Sequence, residues 1–174
     1  MALRAPFGPL PPTGLDLILT RVRNCIMSKL DLFSGAEGKK RLAAALKSHD
    51  VIGNHGALAR KFAEQAEVEE FSSGQTLLKQ NATDQDVYLI IEGEVSVEVN
   101  GKRVATSGPG APIGEMAVLD PYGARSASVI AITDTVVAHI KYARFEALAK
   151  EYPQIWRAIA QELARHVRRH NARL

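Results

Sequence analysis

The spacing of hydrophobic positions changes near residue 68. Upstream the spacing is helical: Leu42, Ala45 and Leu46 share one face of 37–48, and Leu58, Phe62 and Ala66 form one stripe in 55–66. Between 68 and 140 the period becomes two, and short alternating runs predict strands at 68–71, 76–79, 87–91, 95–99, 102–105, 127–132 and 135–140. Val95, Val97 and Val99 alternate with Ser96 and Glu98, as a half-buried strand requires. Turn residues separate the runs: Ser73-Gly74, Asn81 to Asp84, Glu92-Gly93, Asn100-Gly101 and Thr133-Asp134. Asn100-Gly101 is the clearest hairpin, because both residues tolerate positive φ. The helical period returns in 142–153 and, after Pro153, in a long helix where Ile155, Ile159, Leu163 and Val167 recur every four residues. That stripe suits a core face or a subunit seam.

Many short strands with glycine-rich turns, framed by helices, predict an α+β protein. Its centre is a jelly-roll-like antiparallel β-roll or barrel, with N-terminal helices before it and two C-terminal helices after it. The expected organisation is an N-terminal extension over 1–36, then one domain over 37–174, with helices in 37–66, the roll in 68–140 and C-terminal helices in 142–172. Pro6, Pro9, Pro11 and Pro12 predict an extended or partly disordered start. Leu15, Leu17, Ile18, Leu19, Val22, Ile26 and Leu30 can form an amphipathic helix; alternatively Met27 is the natural start and 1–26 an upstream extension.

Composition narrows the class without changing that picture. The chain has 174 residues, 46% hydrophobic and 24% charged, as in a soluble globular protein. A net charge of +3 is too mild to imply nucleic acid. The single cysteine, Cys25, excludes an intrachain disulfide and suits the cytoplasm. No apolar run approaches the ~20 residues of a membrane span.

The chemistry concentrates in 108–127, GPGAPIGEMAVLDPYGARSA. Arg125 offers planar donors for phosphate oxygens. Glu115, ionised, accepts from sugar hydroxyls. Gly114 lets another group approach its backbone, and the N–H groups opening a short helix add donors. Taken singly, a Glu and an Arg make an ordinary surface ion pair. The full string resembles the phosphate-binding cassette of the cyclic-nucleotide-binding domain: Gly114-Glu115-Met116-Ala117-Val118, then Arg125-Ser126-Ala127, with Ile113 where phenylalanine is commoner. Asp84 or Asp86, Tyr88, Ile90 or Ile91, Gly93 and Val95 also match that family, and the resemblance covers about 68–172.

The resemblance implies a 3′,5′-cyclic mononucleotide as ligand. Arg125 would pair with the cyclic phosphate, helped by Ser126 and N–H groups around Ala117 and Ala127. Glu115 and the Gly114 backbone would hold the ribose 2′-hydroxyl beside Met116, and Val97 and Val99 would border the base. Gly93 is expected in a tight turn at the edge of the pocket, and Tyr88 in the core with its hydroxyl at the rim. The C-terminal helix would close over the base and form a dimer or higher homo-oligomer contact; Trp156 would either pack in the core or stack on the base.

The helical pair preceding the strands and the strings GEMAVLDP, RSASVIA and YPQIWRAIAQELARHVRRHN further resemble the N-terminal half of Pycsar antiphage effectors. There a cyclic pyrimidine, cUMP or cCMP, switches on a fused TIR domain that degrades NAD. Two other readings stand beside it: a cAMP- or cGMP-responsive regulator, and a roll with a degenerate pocket that only binds partners.

No nucleophile sits in an activating motif, the glycines lack the Gly-Lys-Ser/Thr of a P-loop, and the metal ligands of a cupin are absent, so no catalytic residue, cofactor or metal is expected. Catabolite-activator relatives read DNA with a domain that would begin where this chain stops, so no nucleic acid is expected here. His166 and His170 stand at i, i+4, but flanking arginines disfavour a cation. His49 and His55 are expected in solvent, and His139 as either satisfied or exposed.

Overall fold

The computed structural model describes residues 29–120 and 122–171. Helices α1 (Lys29–Leu32), α2 (Gly35–Lys47) and α3 (Gly56–Gln65) precede strands β1 (Glu67–Phe71), β2 (Thr76–Leu78), β3 (Val87–Glu92), β4 (Val95–Val99), β5 (Lys102–Ser107) and β6 (Pro112–Ile113). Helix α4 (Glu115–Leu119), strands β7 (Ser128–Ala131) and β8 (Thr135–Ile140), and helices α5 (Tyr142–Glu151) and α6 (Gln154–Asn171) follow. The extension expected over 1–36 falls outside the described residues as far as 28; beyond that, α1 and the start of α2 are already helical.

The strands form two four-stranded antiparallel sheets, ordered β1-β8-β3-β6 and β2-β7-β4-β5. The central strands of sheet one, β8 and most of β3, are buried on both faces, while edge strand β1 is exposed or half-buried. Val87 and Leu89 of β3, with Ala138 and Ile140 of β8, face a helical layer that includes Leu58, Phe62, Phe145 and Ile155. Their neighbours Tyr88, Ile90 and Val137 face the interior of the roll. A strand covered on both sides need not alternate, which is why VYLI is apolar throughout. Phe62, Phe145 and Trp156 meet edge to face, with centroids 6.0 and 6.3 Å apart, so Trp156 takes the core role rather than the stacking one.

The hairpin at Asn100-Gly101 has φ of 52° and 72°, as its sequence requires. Strand β6 has no signature in the sequence; two residues with a proline carry no periodicity, yet Ile113 and Pro112 pair with Tyr88 and Leu89. His55 is exposed as expected, and its Nδ1 accepts from Leu58 N at the start of α3. His49 is not in solvent: it is 2% exposed, and neither ring nitrogen has a hydrogen-bond partner among the described residues. Asp50 N donates to Gly110 O and draws the 108–111 loop against it. Burial holds the His49 imidazole at about 4, well below its usual range.

Candidate functional site

Strand β6, pinned to β3, delivers the chain to Gly114, which caps α4 in the left-handed region at φ 83°. A Cβ there would lie 2.5 Å from Arg125 Nη1 and 2.9 Å from Asp86 O. The close approach that demands glycine is therefore made by the protein's own arginine. Gly114→Ala should cost about 1–3 kcal/mol of stability, read by urea unfolding; a variant as stable as the parent would show that the guanidinium is not so confined.

Arg125 is 4% exposed. Its main chain is fixed to the β2–β3 loop, with Arg125 N donating to Ala82 O and Asn81 N donating to Arg125 O. Its guanidinium donates from Nε to Asp84 Oδ2 at 3.1 Å, from Nη1 to Gly114 O at 3.2 Å, and from Nη2 to Asp84 Oδ2 and to Asp86 O. The arginine thus makes no direct pair with Glu115; its carboxylate partner is Asp84. Asp86 supplies its carbonyl to Arg125, while its Oδ1 accepts from Tyr142 N at the start of α5. The same side chain receives Lys141 Nζ, and its Oδ2 lies 2.8 Å from His139 Nε2. Burial alone would raise the Asp86 carboxyl, but these contacts hold it below its usual range. His139 is thereby satisfied, with Glu69 Oε1 2.5 Å from Nδ1 and Tyr88 stacked on the ring at 4.6 Å. One residue joins the anchored arginine to the first C-terminal helix.

Glu115 opens α4 and is 6% exposed. Burial lifts its carboxyl to about 7; its own backbone N–H and Arg125 oppose the rise, and Glu162 adds to it. Such a shift in a cleft marks a candidate site. His166 Nδ1 of α6 lies 3.7 Å from Glu115 Oε1.

Gly114, Glu115, Met116, Ala117, Arg125, Ser126, Ala127 and Val97 all line one cavity of about 110 Å3. Val99 lines an adjoining chamber of about 490 Å3, which shares Val97, Met116, Ser126, Ala127 and His166 with the first. Strands β4 and β5 form one wall of the chamber, and Leu163, His166, Val167 and Arg169 of α6 form another. Each residue expected to touch the ligand's phosphate, ribose or base lines one of these two spaces, Trp156 aside. The cavity that holds buried Arg125 and buried Glu115 shares wall residues with a larger, more apolar chamber bordered on one side by α6. Gly93, at φ 94°, packs against Thr135 and Asp134 and does not line either cavity, so its turn serves the sheet instead.

The expected closing helix contributes specific side chains that no motif in the sequence marks. Glu162 is 5% exposed and receives Arg165 and Arg169, and its Oε1 is 3.1 Å from His166 Nε2. The available clue was helical spacing: Glu162 and His166 at i, i+4, flanking Leu163 of the apolar stripe. Among the described residues no group of three His, Cys, Asp or Glu could hold a metal ion, and no helix is long and apolar enough to cross a membrane.

Residues 68–152 match the family model of the cyclic nucleotide-binding domain. The chain is 40% identical over 142 residues to the Pycsar effector protein XpPycTIR of Xanthomonas perforans, covering 82% of this chain and 47% of that protein. It is 36% identical over 138 residues to BcPycTIR of Burkholderia cepacia, covering 79% and 46%. The chain thus spans about half the length of the curated relatives it matches. The crystal structure of the Thermus thermophilus catabolite activator protein superposes with a TM-score of 0.57 at 28% identity, over 65% of this chain and 55% of that one. The regulatory domain of Toxoplasma gondii PKA with cAMP shares the fold at a TM-score of 0.61 and 24% identity, over 71% of this chain and 50% of that one.

Proposed function

Because this chain belongs to the cyclic nucleotide-binding domain family, we propose that it is the sensing part of an antiphage effector. It binds a 3′,5′-cyclic pyrimidine, cUMP or cCMP, and thereby switches on a fused TIR domain that degrades NAD. The observation that carries the nucleotide reading is the convergence of buried Arg125 and buried Glu115 in one cavity beneath an apolar chamber. The similarity to Pycsar effector proteins supports the pyrimidine and the effector partner.

In this mechanism Arg125 takes the cyclic phosphate, with Ser126 and the N–H groups of Ala117 and Ala127 completing the cradle. Glu115 accepts the ribose 2′-hydroxyl. Val97 and Val99 flank the base under Leu163 and Val167. Entry of the phosphate redistributes the Arg125 donors now shared with Asp84, Gly114 and Asp86, and Asp86 passes the change to the start of α5. The ligand shifts the helices only by its differential affinity for their two positions. Val167, on the apolar stripe yet 59% exposed, suits a homo-oligomer seam along α6.

The ribose assignment has its own test. At pH 8, above the value of about 7 to which burial lifts this carboxyl, Glu115→Ala removes a hydrogen bond to a charged group, worth about 1.5–3 kcal/mol, so cUMP should bind roughly 10- to 150-fold more weakly. 2′-Deoxy-cUMP should lose little, measured by calorimetry. Equal losses for both ligands would remove Glu115 from the sugar.

A further inference from the structure

Among the described residues, the chamber wall is apolar except at three side chains, Ser126, His166 and Arg169. The Ser126 hydroxyl lies low, beside the phosphate cradle, directed at Met116 Sδ at 3.4 Å. The two groups on α6 are held by a buried carboxylate. Glu162 Oε2 accepts from Arg165 Nε at 2.7 Å, and Oε1 accepts from Arg169 Nη2 at 3.1 Å. Arg165 is tied in turn to Asp50 Oδ2 at 2.8 Å, which fastens this turn of α6 to the α2–α3 connection. Burial would raise the Glu162 carboxyl, but the hydrogen bonds from Arg165 and Arg169 outweigh it and keep the group below its usual range, hence ionised. Arg169 lines the chamber, donates to Glu162 from Nη2 and is 56% exposed, so a guanidinium with five N–H donors stands at the chamber's edge beside its carboxylate partner.

Resting on the nucleotide reading above, we infer that Arg169, positioned by Glu162, reads a carbonyl oxygen on the base, so that the site prefers keto bases to amino bases. A guanidinium has donors only. It complements O4 of uracil or O6 of guanine, whereas N4 of cytosine or N6 of adenine would set donors against donors. Arg169 is a specificity residue, and Glu162 a positioning residue that acts through it.

The test is calorimetry on the full chain with cUMP, cCMP, cGMP and cAMP. The parent should favour cUMP over cCMP, and cGMP over cAMP, by about tenfold or more, the scale of one hydrogen bond to a charged group. Arg169→Met, at a half-exposed position, should bring both ratios within about threefold while all four ligands still bind. Glu162→Gln should narrow both ratios in the same direction, and Arg169→Lys should restore part of each. Ratios near one in the parent, or ratios that survive Arg169→Met, overturn the inference and leave the nucleotide site standing. Binding of none of the four overturns both.

Discussion

Replacing Arg125 with alanine should weaken cyclic nucleotide binding by roughly 30- to several-thousand-fold. Among the residues lining this cavity, Arg125 is the buried cation that meets a cyclic phosphate. Removing one partner of a buried hydrogen-bonded charge pair costs about 2–5 kcal/mol, which sets that range. The same change deprives Gly114 O and Asp86 O of their donor, so part of the effect should appear as lost stability, about 1–3 kcal/mol per group left unsatisfied. Arg125→Lys separates the two. It keeps the charge but not the planar fork, so it should bind with an intermediate loss while unfolding closer to the parent. Near-parental affinity in Arg125→Ala would remove the phosphate from this position.

The second large effect concerns stability and pH. The Glu115 carboxyl is raised from 4.5 to about 7 by burial, with Glu162 contributing and Arg125 and its own N–H opposing. A raised carboxyl favours the fold fully below 4.5, where it is protonated in both states. That contribution is lost as pH rises through 7, because the unfolded chain releases the proton more readily. Glu115→Gln removes the titration. Relative to the parent, the variant should therefore gain about 3 kcal/mol on passing from pH 4 to pH 8. Urea unfolding of both proteins at the two pH values measures the difference, and other titrating groups cancel in the comparison. A gap that does not change with pH would mean that Glu115 ionises as it does in water. The site holds a carboxyl that the fold alone would do better without, as functional positions often do.

The roll was legible because its strands alternate and its turns carry residues that tolerate positive φ, Asn100-Gly101 above all. The phosphate cradle was legible because Gly114, Glu115, Arg125 and Ser126 lie in one short stretch. What the chain order concealed were contacts between distant segments. Asp84 and Asp86 stood as alternatives for one pattern position, yet they do different things. Asp84 pairs with the guanidinium, while Asp86 joins Arg125 to Tyr142. His49 sits in a polar run, Ser48-His49-Asp50, and nothing local says that the 108–111 loop buries it. On α6 the apolar stripe announces a buried face but not its neighbour. Along the sequence Glu162 is a single acid among the arginines of α6, and His166 stands one turn from His170 with arginines that disfavour a cation, so neither points to a nucleotide chamber. His166 lines the chamber where β4, β5, Met116, Ser126 and Ala127 meet α6, and Glu162 sits behind it, 3.1 Å from its Nε2.

Titration calorimetry of the chain with cUMP, cCMP, cAMP and cGMP tests the nucleotide site itself. Saturable one-site binding is expected, with cUMP or cCMP preferred, and that binding should be lost in Arg125→Ala. Preference for cAMP or cGMP would keep the nucleotide site and contradict the antiphage assignment. Absence of binding to all four would contradict the conclusion that Arg125 and Glu115 form a cyclic nucleotide site.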